Sequence, residues 1–139
     1  MKKTTATTIA GYNALTKGEI KKVCTVLKKE IDKALPKSKA TSKLWHGGPV
    51  WFINGNPVVG YSLRKAGDVN VLFWSGQSFK HKGLHKEGSF KAAEIKYASV
   101  ADMKLADLRK WLKECQTIQW DYEHIVRNRG LLKRLRTSA

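Results

Sequence analysis

Between Pro36 and Leu44 the hydrophobic period of the chain changes from that of a helix to that of a strand. A sequence that does this belongs neither to a helical bundle nor to an all-strand barrel. On the amino-terminal side, "TKGEIKKVCTVLKKEIDKAL" repeats Ile20, Val23, Cys24, Leu27, Ile31 and Leu35 at helical spacing and leaves lysines on the opposite face. Thr16 and Glu19 stand at capping-box spacing, so a helix is predicted over 17–35, ended by Pro36. "PKSKATSK" reads as a polar connection.

Beyond it, strands are predicted near 50–54, 58–64 and 69–75. The first turn is supplied by Asn-Gly in "NGNP" and the second by "KAGD". They form an antiparallel meander with Val59, Tyr61 and Leu63 on one face. "EIKYAS" adds a fourth, edge-like strand, and the basic, Gly-punctuated stretch 76–94 is long enough to be a loop with some irregular structure. A second helix is predicted over 101–129, carried by Leu105, Leu108, Trp111, Leu112, Cys115, Ile118, Tyr122, Ile125 and Val126. Asp102 sits at its capping-box position and Gly130 at its C-cap. Two amphipathic helices and an alternating sheet give an α+β two-layer sandwich, with both helices on one sheet face. Residues 1–15 are Thr-rich and aperiodic and are expected to be a flexible lead-in. Residues 16–130 make a single domain, and 131–139 a basic tail.

At 139 residues the chain can bury one core, and 42% hydrophobic with 27% charged residues fits a globular protein. The charge is less ordinary: 27 Lys+Arg against 11 Asp+Glu give +16, which favours polyanionic partners or high solubility. No apolar run approaches the length of a membrane span, and "MKKTTATTIAGYNAL" lacks the apolar segment of a signal peptide. Cys24 and Cys115 lie far apart without metal-type spacing. A cytoplasmic protein with reduced thiols, a monomer or weak dimer, follows as the expectation.

Three motifs invite a chemical reading. "HGG" at 46–48 resembles an esterase oxyanion loop, but no G-x-S-x-G elbow accompanies it, so it reads as a strand entry. His81 and His85 have helical zinc spacing, yet Gly83 interrupts them and Lys80, Lys82 and Lys86 surround them. No phosphate loop is present. No catalytic set, metal site or cofactor is therefore expected.

The aromatic residues Trp45, Trp51, Phe52, Tyr61, Phe73, Trp74 and Phe79 cluster in the strand region. Because side chains alternate, Trp51 and Phe52 must point to opposite faces, as must Phe73 and Trp74. One aromatic set is either covered by the loop 76–94 or open to a ligand. The candidate ligand site is a cleft formed by His46, Trp51, Trp74, Gln77 and Ser78. The rings would supply contact area, and the imidazole, amide and hydroxyl would orient an unknown small ligand or protein. The first 43 residues hold eleven lysines against three acids, and "RNRGLLKRLRTSA" holds five basic residues and no acid. Nonspecific nucleic-acid binding through Arg127, Arg129, Lys133, Arg134 and Arg136 is the alternative.

"WHGGPVWFINGNPVVGYS", "VLFWSGQSF", "GLHKEGSFKAAEIKY" and "DLRKWLKECQTIQWDYEHI" together resemble the YdhG-like family of small bacterial α+β proteins, over roughly residues 17–126. The resemblance implies a helix–sheet–helix sandwich. For some members it also implies a frataxin-like iron chaperone that holds iron through acidic side chains. Helix 17–35 offers Glu19, Glu30 and Asp32 among Lys17, Lys21, Lys22, Lys28, Lys29 and Lys33, a cationic surface for a hard cation. The expectation is a non-enzymatic binding domain of the YdhG-like type, with the iron chaperone as a third reading.

Overall fold

The computed structural model describes residues 8–45, 47–88, 90–124 and 134–135. It is an α+β two-layer sandwich with a six-stranded antiparallel sheet and three helices. The strands are β1 (Thr41–Trp45), β2 (Gly48–Ile53), β3 (Asn56–Leu63), β4 (Val69–Phe73), β5 (His85–Lys86) and β6 (Ala93–Tyr97), in the order β1-β2-β3-β4-β6-β5. The helices are α1 (Ile9–Ala14), α2 (Gly18–Ala34) and α3 (Leu105–Glu114).

The Asn54-Gly55 turn joins β2 to β3 with φ of 50° and 84°, the left-handed pair that a two-residue hairpin demands. Pro57 is accommodated where the β2–β3 register shifts, between Trp51 and Phe52, so its missing N–H falls at an irregularity. All three helices lie on one sheet face. Trp51 donates to Asp32 of α2 at 3.0 Å, Tyr61 donates to Asn13 of α1 at 2.7 Å, and Phe73 meets Trp111 of α3 edge-on at 6.2 Å. Val23, Leu27 and Ile31 of α2 and Leu108 and Leu112 of α3 close the core against Val59, Val69 and Val71, all fully buried. Across the helix layer, Arg109 holds Glu30 through two bonds of 2.7 and 3.2 Å.

Several expectations need correction. Residues 9–14 of the expected lead-in are helical, because Thr8 caps the turn through Gly11 N and buried Asn13 anchors it to Tyr61 and the Cys24 carbonyl. Thr16 does not cap α2. Its hydroxyl donates to the Asn13 carbonyl, satisfying an acceptor at the end of α1, and Lys17 stands at the N-cap. Within the polar connection, Thr41–Lys43 begin β1, an edge strand with its charged residue outward. "EIKYAS" is not an edge, since β6 lies between β4 and the two-residue β5.

The second helix is the largest difference. Ser99 and Asp102 do form a capping box, but it closes a 3-10 turn at Val100–Asp102, and α3 ends at Glu114. Ile118 and Tyr122 keep helical spacing, but the chain past Gln116 is drawn off by stronger offers. Asn56 donates to Gln119 Oε1 and the Trp120 carbonyl, and its Oδ1 accepts from Tyr122 N and Glu123 N. The expected continuation over 125–129 and the cap at Gly130 lie outside the described residues. The loop after β4 covers the helix side, with Phe79 on Phe73 at 5.6 Å and His81 on Trp111 at 5.8 Å. A side chain on Gly83 would collide with Trp111, so that position, at φ 125°, needs glycine for closeness and for conformation.

Candidate functional site

Residues of opposite phase to the core build the second sheet face: Val50, Phe52, Gly60, Ser62, Asn70, Leu72 and Trp74. None of the three described helices touches it. Here Trp45 of β1 reaches over the two intervening strands to stack on Trp74, at 6.2 Å and 30°, and meets Phe52 edge-on at 5.4 Å. Glycine at position 60 leaves the space beneath the indoles open, and a Cβ there would press on Val50 and the Pro49 carbonyl. The pair walls a groove of about 120 Å³ whose floor includes Gly48, Gly60 and Ser62 and whose far side is Asn70 and Leu72. Both indoles remain partly exposed.

The polar groups of this face are ordered. Burial pushes the Glu94 carboxyl up, but bonds from Lys96 and Asn70 outweigh it and leave its pKa below the ordinary value. With the Asn70 amide group committed to Glu94, Asn70 Oδ1 is buried with no hydrogen-bond partner among the described residues. Lys43 lies over Phe52 at 5.2 Å. Just past Trp74, Trp120 donates from its backbone to Ser75 Oγ and from its ring to Ser78 Oγ, both at 2.9 Å. Lys91 and Arg134 stand over the Trp120 ring at 4.6 and 5.8 Å.

The expected cleft is only partly assembled. Trp51 is 1% exposed on the helix side, so it cannot share a wall with Trp74; the alternation that separates Trp51 from Phe52 decides this. Trp74 lines the groove. Gln77 donates to the Ala92 carbonyl at 2.8 Å and Ser78 accepts from Trp120, so both brace the rim rather than face the groove. His46 lies outside the described residues, as do Arg127, Arg129, Lys133 and Arg136, whereas Arg134 is on Trp120. Trp45 and Asn70 were missed as site residues. The phase of β4 placed Asn70 beside Trp74, but nothing local revealed that residues 41–45 form a strand.

Other constellations have structural partners. His81 Nε2 is 2.7 Å from Asp107, while Glu114 accepts from Lys80 N and His81 N and the His81 carbonyl accepts from Trp111. These contacts fasten the loop to α3. Burial pushes the Cys24 thiol up to about 11 and the Cys115 thiol higher still, which makes both poor nucleophiles. The three acids of α2 are dispersed: Glu19 pairs with Lys22, Glu30 with Arg109, and Asp32 with Lys28 and Trp51.

A carboxylate cluster not foreseen from sequence lies at Asp121, Glu123 and His124, whose ligand atoms fall within 4.8 Å of one another. Asp121 accepts from His124 N, and the two ring nitrogens of His124 face Asp121 and Glu123 at 3.1 and 3.4 Å. Glu123 also lies over Gly55, so the cluster secures this segment to the β2–β3 turn.

Among the described residues no helix is long and apolar enough to cross a membrane. Comparison of the chain with protein-family models, with curated proteins and with solved structures finds no match.

Proposed function

We propose that this protein is a non-enzymatic binding domain of the YdhG-like type, acting in the cytoplasm, and that its ligand seats in the groove beside Trp45 and Trp74. The observation that carries this is a stacked, partly exposed indole pair on a sheet face that the described helices leave uncovered. Largely apolar walls with the polar side chains of Ser62 and Asn70 among them match the general make-up of a ligand site. A planar ring bearing a polar edge would suit both. The buried, free thiols of Cys24 and Cys115 support a reducing compartment. The high thiol pKa values and the structural commitments of His81 support a binding role over catalysis.

The test is titration of isotope-labelled protein with adenosine as a planar probe, read by amide shifts. Shifts confined to residues around Gly48, Gly60, Ser62 and Asn70 are expected, and Ser62→Leu, which fills the groove, should abolish them. Shifts on the helix face, or none in the unaltered protein, would overturn the assignment.

A further inference from the structure

The groove of about 120 Å³ is well below the roughly 300–1,000 Å³ that encloses a whole small ligand. It has room for one ring, so a ligand held with useful affinity must continue along the surface outside it. Beyond the groove is a second aromatic station with the same chemistry. The Trp120 backbone is tied to Ser75, the residue after Trp74, and its ring carries Lys91 and Arg134. The first station has its own cation, Lys43, over Phe52. The carboxylate on this face, Glu94, is engaged by Lys96 at 2.7 Å, so it offers a polyanion little repulsion. The chain as a whole carries +16.

Two aromatic stations, each with its own cations, suit a polymer of alternating planar rings and anions. Resting on the groove reading above, we infer that the ligand is a single-stranded nucleic acid. One base seats against Trp45 and Trp74, another lies near Trp120, and the intervening phosphates meet Lys43, Lys91 and Arg134. The Ser62 hydroxyl, which lines the groove, offers the seated base a hydrogen-bond partner. A duplex is disfavoured because its base faces are hidden within the stack, and a base-free polyanion because it leaves the rings unused. This differs from binding through the chain ends, since the two aromatic stations would confer the preference for single strands.

Fluorescence anisotropy with a labelled oligothymidylate, its duplex with oligoadenylate, and heparin as competitor separates these cases. The full-length protein should prefer the single strand to the duplex, with its tryptophan emission quenched on binding. Trp74→Ala should weaken single-strand binding about 5- to 100-fold, the range for losing one stacked base. Lys43→Glu, at an exposed edge-strand position, gives a second measure should Trp74→Ala fail to fold. It should weaken binding and reduce the salt slope by about 0.7 for each phosphate that is no longer neutralised. Equal binding of duplex and single strand with unchanged emission would overturn the inference. So would full affinity in folded Trp74→Ala and Lys43→Glu proteins. If adenosine shifts the groove amides but the oligonucleotide does not bind, the inference falls and the groove assignment stands. If the oligonucleotide binds without moving those amides, the inference falls, and the adenosine titration alone decides the groove assignment.

Discussion

Trp45 and Trp74 stack at 6.2 Å although two strands, β2 and β3, run between β1, which carries Trp45, and β4, which Trp74 directly follows. The contact is possible because Gly60 lies in the central row between them and raises no side chain. Such a pair shapes a surface more than it supports a core. Replacing either ring by alanine should therefore cost about 0.5–1.5 kcal/mol for the missing ring–ring interaction, plus a modest area term. Trp51→Ala or Trp111→Ala, at 1% exposure, should cost about 3–5 kcal/mol. Urea unfolding of the four variants measures the contrast, and equal losses would refute a peripheral role for the stacked pair.

Asn56 should behave as a core residue despite its polarity. Its amide makes four bonds to the segment 119–123, and the residue is 2% exposed. Asn56→Ala is expected to destabilise the protein by about 3 kcal/mol, since several buried partners lose their bonds together. Hydrogen exchange should show Tyr122 and Glu123 amides losing protection first.

The Glu30–Arg109 pair gives stability a defined acid dependence. The bond from the Arg109 guanidinium holds the Glu30 carboxyl below its usual range. Its contribution is complete above about pH 4.3, the ordinary carboxyl value, and is lost as pH falls through the depressed folded-state value. Because Arg109 is largely in solvent, Glu30→Gln should destabilise the protein only slightly at pH 7. The gap between variant and parent should close as the solution is acidified below that range and stay constant from pH 6 to roughly 8. Thermal melts across pH check it, and a gap that widened in acid would contradict the assignment.

For divalent metals, the cluster at Asp121, Glu123 and His124 is expected to remain a structural clasp. Both ring nitrogens and both Asp121 oxygens are engaged within it. Calorimetric titration with zinc or ferrous iron under reducing conditions should show no binding at micromolar level. Stoichiometric uptake that Glu123→Gln removes would show that the clasp opens to an ion.

The sandwich was legible wherever one element supplied its own pattern. The stripe of Val23, Leu27 and Ile31 located α2, and alternation through Val69, Val71 and Phe73 located β4 and its buried face. Sequence failed where a distant partner outweighed local preference. Ile118 and Tyr122 continue a helical spacing, yet Asn56 captures the backbone there. Likewise Thr41–Lys43 look like a connection until β2 supplies a partner. The groove suffered for the same reason: Trp74 was placed by its own strand, whereas Trp45 depends on pairing with Gly48. Trp51 and Trp74 belong to separate faces, a division the alternation contained and the expected cleft overlooked.

The clasp at Asn56 also bears on how the chain matures during synthesis. The groups that complete its bonds emerge 63 to 67 residues later. At about 5–20 residues per second that is roughly 3–13 s during which a nascent β2–β3 hairpin presents an unmet amide. A ribosome-bound chain arrested before Gln119 should thus expose this turn to chaperones and proteases, and release from that state should coincide with arrival of residues 119–123.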